Sequence, residues 1–129
     1  MKQDQNSRDR KRDAVHFLEL VTAGRIDEAY TKHVDMKGKH HNIFFAPGFP
    51  ALKKAMLENH VQFPVKEYKV KNVISEGNMV AVHAHLSMKH GEKGMIVVHI
   101  VRFEGEKIVE LWDCGQQVPA DSPNSDGAF

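Results

Sequence analysis

Nine histidines stand in a chain of 129 residues that contains one cysteine, Cys114. Imidazole is the side chain whose ordinary pKa lies near neutrality, so such an excess points to proton transfer or to metal ligation when the rings fall on buried faces. The single cysteine excludes an internal disulfide and every multi-cysteine zinc site. His83-Ala84-His85 has the spacing of two ligands on one strand face, and His40, His41 or His99 could complete a metal site. No carboxylate or cysteine joins that pair locally, so the preferred reading carries no metal. His99 and Asp113 offer different chemistry, because a carboxylate beside an imidazole on a largely apolar surface is what general acid/base catalysis requires. Neither a glycine-rich phosphate loop nor a Gly-x-Ser-x-Gly turn is present, and Cys114 lacks a helix N-terminus to activate its thiolate.

These side chains need elements to position them. Ala14, Val15, Phe17, Leu18 and Val21 recur at helical spacing, with Ser7 as a plausible N-cap and Gly24 at the C-cap, which predicts a first amphipathic helix. Ile26, Ala29 and Tyr30 suggest a short second helix. Asp35 to Gly48 breaks all periodicity and carries His40, His41 and Asn42 ahead of Ile43, Phe44 and Phe45. Three large apolar residues in a row predict a loop packed down on the core, since exposing them would cost roughly 1.5 to 3 kcal/mol each. Pro50 opens a third helix with Leu52, Ala55 and Met56 on one face.

From Val65 onward the pattern is β: Val65 to Ser75, Asn78 to Lys89, Met95 to Glu104 and Lys107 to Gln117, joined by separators too short for a parallel crossover. Helices first and a meander after, with room for a short extra strand in the preceding loop, is the α+β pattern of helices packed on one face of a curved antiparallel sheet. Alternation puts His83 and His85 opposite Val80, Val82 and Ala84. It sets His99 with Val97 and Val101, and Asp113 with Val109 and Leu111. A lone histidine on a strand is more often a core residue satisfied by one hydrogen bond, and that reading stays open for His83 and His85. His99 and Asp113, on adjacent hairpin strands, can face one cavity. Met95 to Phe103 is apolar on both faces, which predicts a homodimer through the outer sheet face.

The runs Gly94-Met-Ile-Val-Val-His-Ile-Val-Arg-Phe103 and Lys107-Ile-Val-Glu-Leu-Trp-Asp-Cys-Gly-Gln116, with His40-His-Asn42 and Glu76-Gly-Asn-Met-Val-Ala-Val-His83, resemble the SnoaL-like polyketide cyclase family. The tail from Asp121 is similar to that of an uncharacterised bacterial subgroup. The resemblance implies a cone-shaped nuclear transport factor 2-like fold and a ring closure by intramolecular aldol condensation without metal or cofactor. Carried over by motif, the acid/base pair falls on Asp113 and His99, with His41 and Asn42 donating hydrogen bonds at the pocket mouth. Two positions depart from the family pattern. Ile43 stands where members commonly have Pro, and Leu111 where they have His, which removes a polar group from the pocket. Further substrate-binding candidates are His83, His85, Phe17, Tyr30, Phe44 and Met56. The same fold also hosts non-catalytic modules that bind a small apolar ligand.

Lys and Arg total 18 against 17 Asp and Glu, a net charge of +1. That balance argues against a nucleic-acid partner, which needs a basic face. The length suits one domain over residues 1–129, with 1–6 flexible and 118–129 an extended tail. With no apolar run of membrane-spanning length and no apolar leader, the expectation is a cytoplasmic protein without membrane contact, acting on a small apolar or carbonyl-containing molecule.

Overall fold

A computed structural model describes the backbone of residues 2–129 and the side chains from Asp4 onward. The elements run α1 (Lys2–Thr22), α2 (Ile26–His33), β1 (Val34–His40), α3 (Phe49–Gln62), β2 (Glu67–Glu76), β3 (Met79–Ser87), β4 (Met95–Glu104) and β5 (Lys107–Gln117). Met1, part of the segment expected to be flexible, lies outside the described residues. From Lys2 the chain is already helical, so Ser7 is not an N-cap. Gln5 donates to Asp9, Arg8 donates to Gln5 and Arg12 pairs with Asp9, contacts at helical spacing that carry the helix backwards. Ser7 lies inside α1 and its hydroxyl bonds that of Ser75 on β2.

Gly24 ends α1 as its position predicts. With φ at +85° it sits in the left-handed region, Arg25 N–H reaches back to Leu20 O (2.9 Å) and Gly24 N–H to Val21 O (3.1 Å). That is a Schellman closure, which reverses the chain so that α2 packs back on α1. Pro50 stands in the first turn of α3, where its missing N–H has no intrahelical partner to lose.

The five strands form one sheet in the order β1-β5-β4-β3-β2. The four segments read from the sequence form its antiparallel meander. The optional short strand is β1, which pairs in parallel with β5 (Val34 with Ile108, His40 with Leu111) and forms one edge. The helices cover one face, where Phe17, Tyr30, Phe49 and Leu52 pack against Val80, Val82, Val101, Phe103, Ile108 and Leu111. Apolar burial at roughly 25 cal/mol per Å² makes this face the main source of stability.

The other face of the sheet stays open over much of its area. Ile74 is 66% exposed, and Ile96, Val98 and Ile100 are half-buried. The tail returns along this side: Val118 N–H donates to Gly94 O (2.9 Å) and Lys93 Nζ to Ala120 O (2.7 Å). Phe129 ends over the sheet, its ring 4.5 Å from that of His85 and 5.9 Å from that of His83, with Lys71 Nζ 5.3 Å from its centroid.

Candidate functional site

Register decides which side chains meet. His99 pairs with Asp113 across β4 and β5, and Val82 pairs with His99 across β3 and β4. Directly opposed residues share a face, and Val82 is fully buried under the helices. His99 and Asp113 therefore both point inward, as alternation predicts. Their closest approach, His99 Nε2 to Asp113 Oδ2, is 3.9 Å, an ionic distance too long for a hydrogen bond. Their side chains keep 17% and 24% exposure.

Three further residues complete the arrangement. Asn42 Nδ2 donates to Asp113 Oδ2 at 2.9 Å, leaving Oδ1 as the open carboxylate oxygen. Tyr68 OH stands 3.3 Å from His99 Nδ1, with the two rings edge to face. Tyr30 is fully buried, and its phenol is pushed well above the ordinary tyrosine range by burial and then by the nearby Asp113. Burial, followed by the charge of Glu19, does the same to Tyr68. Both phenols are hydrogen-bond donors at any physiological pH. Burial holds the His99 pKa below its ordinary value, with Asp113 opposing the shift, so the imidazole is neutral at pH 7. Among the described residues no Lys or Arg pairs with the Asp113 carboxylate.

Several expected site residues lie elsewhere. His41 and Asn42 are neighbours on a chain that continues the β1 alternation, so they point to opposite sides and cannot both line the pocket. Asn42 turns inward and spends its amide on Asp113. His41 turns outward, stacks on Trp112 (5.2 Å between centroids, 12° between planes) and donates to Glu110 Oε2 at 2.6 Å. That bond, with the Arg102 guanidinium, holds the Glu110 carboxyl below the usual range. His83 and His85 also point outward, since Val82 and Ala84 between and beside them are buried. There Asn72 bonds His83 (2.9 Å), and His85 Nε2–H donates to Lys93 O (2.6 Å). They face away from Asp113 and are not pocket lining.

Phe17 and Tyr30 form an edge-to-face pair in the core, and Met56 packs partly buried against that core. Phe44 corrects the expectation of a packed loop: it is 83% exposed and Ile43 88%. Polar bonds hold this loop in place of apolar burial. His40, 7% exposed, donates from Nε2 to Ala46 O (2.8 Å) and accepts Asn42 N–H at Nδ1 (3.1 Å), while Asn42 Oδ1 accepts Phe44 N–H (3.0 Å). With the loop frame satisfied by His40 and Asn42, its apolar tip is left in solvent.

Sequence reasoning missed Tyr68 and the structural role of His40. Tyr68 was legible in principle: Tyr68 and Val70 alternate along β2 and pack on the same core. His40 was not, because its burial depends on the parallel pairing of β1 with β5. A concavity of about 750 Å³, bordered by Arg12, His16, Lys32 and Val73, lies between α1, α2 and β2 and shares no residue with the His99–Asp113 pair. The concavity is an open surface feature in which Arg12, Glu19 and Lys32 are exposed to solvent. Among the described residues no group of three or more His, Cys, Asp or Glu is placed to hold a metal ion. None of the described helices is long and apolar enough to cross a membrane.

Three helices packed on one face of a five-stranded sheet give the chain the α+β cone fold of the nuclear transport factor 2-like type, with His99 and Asp113 partly exposed on the helix-covered side. Solved structures agree. A protein of that type and of unknown function from Burkholderia xenovorans superposes with a TM-score of 0.68 at 20% identity, over 91% of this chain and 90% of that one. A protein provisionally described as a polyketide cyclase, from Acidithiobacillus ferrooxidans, gives 0.68 at 14% identity over 83% and 87%. A SnoaL-like protein of unknown function from Burkholderia thailandensis gives 0.67 at 12% identity over 80% and 91%. The likeness bears out the resemblance read from the sequence at the level of the fold. No family model and no curated protein matches the chain.

Proposed function

We propose that the protein is a cofactor-independent cyclase or isomerase acting on a small neutral carbonyl compound, with Asp113 as the acid/base and His99 as the donor to oxygen. The observation that carries this reading is the inward-facing, partly exposed His99–Asp113 pair beside the phenols of Tyr30 and Tyr68, with no Lys or Arg paired to the carboxylate among the described residues. Asp113 Oδ1 takes an α-proton, the enolate attacks a carbonyl of the same molecule, and the alkoxide formed takes the proton back. Neutral His99 donates to the oxygen on which charge develops. The Asp113 carboxylate, with no Lys or Arg paired to it among the described residues, disfavours phosphorylated or carboxylated substrates.

Exchange of α-protons in D2O tests the first step, using a panel of simple ketones whose uncatalysed exchange is slow. Catalysed exchange that falls at least a hundredfold in Asp113→Asn is expected, about the size of a general-base contribution. Exchange that survives the substitution refutes the proposal, because an amide cannot take the proton. The open concavity away from the pair favours a second reading, a non-catalytic binding module of the same fold; ligand affinity without exchange of any ketone would support it. The half-buried apolar outer face supports a homodimer, to be tested by sedimentation at micromolar concentration, where a monomer would exclude it.

A further inference from the structure

We propose that Tyr68 is a positioning residue that fixes the tautomer of His99, donating its hydroxyl hydrogen to Nδ1 so that the ring presents Nε2–H toward Asp113 and a bound substrate. The catalytic consequence rests on the function proposed above. The tautomer itself does not, and it is tested separately.

The direction of the Tyr68 to His99 bond follows from the charges around the ring. Nδ1 faces the Tyr68 hydroxyl at 3.3 Å, and Nε2 faces the Asp113 carboxylate at 3.9 Å. A neutral imidazole has one N–H and one lone pair. With the hydrogen on Nδ1, the Nε2 lone pair would point at a carboxylate, lone pair against negative charge. Tyr68 would then have to accept, leaving its own hydrogen without a partner among the described residues. With the hydrogen on Nε2, both contacts are attractive and Tyr68 uses its hydrogen. Burial keeps the phenol protonated and the imidazole neutral, so the arrangement persists through the physiological range.

This tautomer has a chemical consequence. A donor is useful at Nε2 because that nitrogen lies on the Asp113 side, where a carbonyl oxygen must sit if Asp113 Oδ1 is to reach the neighbouring α-carbon. At 3.9 Å Nε2 is too far from Oδ2 for a direct bond, and that oxygen already accepts from Asn42 at 2.9 Å. Nε2–H is left free to donate to substrate. The opposite tautomer would place a lone pair against the developing oxyanion and lose the stabilisation. Tyr68 acts through His99 and makes no step of its own.

The test is the nitrogen spectrum of the histidine rings in uniformly 15N-labelled protein at pH 7.5, with His99 assigned by His99→Gln. The wild-type protein is expected to show His99 Nε2 as a protonated nitrogen and Nδ1 as a lone-pair nitrogen; the reverse pattern overturns the proposal. Tyr68→Phe keeps the ring and removes only the hydroxyl, so the fold is expected to survive, as a cooperative urea transition would show. In that variant His99 should move toward a mixture of tautomers; an unchanged His99 spectrum overturns the proposal. If ketone exchange is present, its kcat should fall about tenfold or more with KM little changed. A spectrum as expected together with exchange insensitive to Asp113→Asn would refute the function and leave the Tyr68 to His99 assignment standing.

Discussion

Replacing Asn42 by Ala removes the bond that ties the loop between β1 and α3 to the candidate base, and its cost can be worked from the contacts. The Asn42 amide donates to the Asp113 carboxylate at 2.9 Å. A hydrogen bond to a charged group contributes about 1.5 to 3 kcal/mol. Asp113 keeps 24% exposure, so water replaces part of the loss and the low end applies, about 1.5 kcal/mol. Asn42 Oδ1 also accepts Phe44 N–H at 3.0 Å in an exposed turn, which adds about 0.5 kcal/mol. The sum is about 2 kcal/mol, and with a urea dependence near 1.5 kcal/mol per M the midpoint should fall by about 1.3 M. Asn42→Ala, Asp113→Ala and the double variant, measured by urea unfolding, isolate the pair. A coupling energy near 1.5 kcal/mol is expected, and one below about 0.5 kcal/mol would refute the view that this bond holds the loop to the site.

Three other expectations are open to measurement. His33, buried at the end of α2 and bonded to His16 (2.8 Å), has its pKa lowered by burial against the opposing charge of Asp13, with His16, Lys32 and Lys107 adding to the lowering. The unfolded chain then binds protons more readily, so stability is complete above about pH 6.5 and is lost as pH falls toward the lower folded-state value. His99 has the same sign, so urea midpoints should fall from pH 7.5 to 5.5 and fall less in His33→Gln; an equal fall in both would contradict the assignment. Ile43→Ser with Phe44→Ser should change unfolding free energy by no more than about 0.5 kcal/mol, since both side chains are in water. A loss of about 2 kcal/mol or more would mean the loop is packed. Gly24→Ala should destabilise by at least about 1 kcal/mol, because φ is +85° and an added Cβ would meet the His60 ring. An unchanged thermal midpoint would count against that geometry.

Much of the fold was legible because its signals are local. The bounds of β4 and β5, the Gly24 closure, Pro50 at the head of α3 and the α+β order follow from periodicity and turn chemistry. The placement of His99 and Asp113 opposite each other on one common face was legible too, since a period of two and a short hairpin fix their relative side and register. The loop around Ile43 and Phe44 was not. Apolar content predicts burial only when no other force holds the backbone, and here His40 and Asn42 supply polar bonds that leave the tip exposed. His83 and His85 were placed on the correct strand face relative to Val82, but which face the helices would cover is a tertiary choice, so their assignment to the pocket did not survive.

The sequence by itself determined the elements, their order and the pairing of one histidine with one aspartate on a common strand face, because hydrophobic period and turn residues act over a few positions. Only the tertiary structure decided which histidines meet that pair. The parallel docking of β1 on β5 sent His40 and Asn42 inward and His41 outward. The packing of α1 to α3 on one face left His83 and His85 under Phe129 on the other. The return of β2 alongside β3 brought Tyr68, 31 positions away in the chain, to the ring of His99. Each of these choices is made by long-range burial and pairing, which no window of sequence contains.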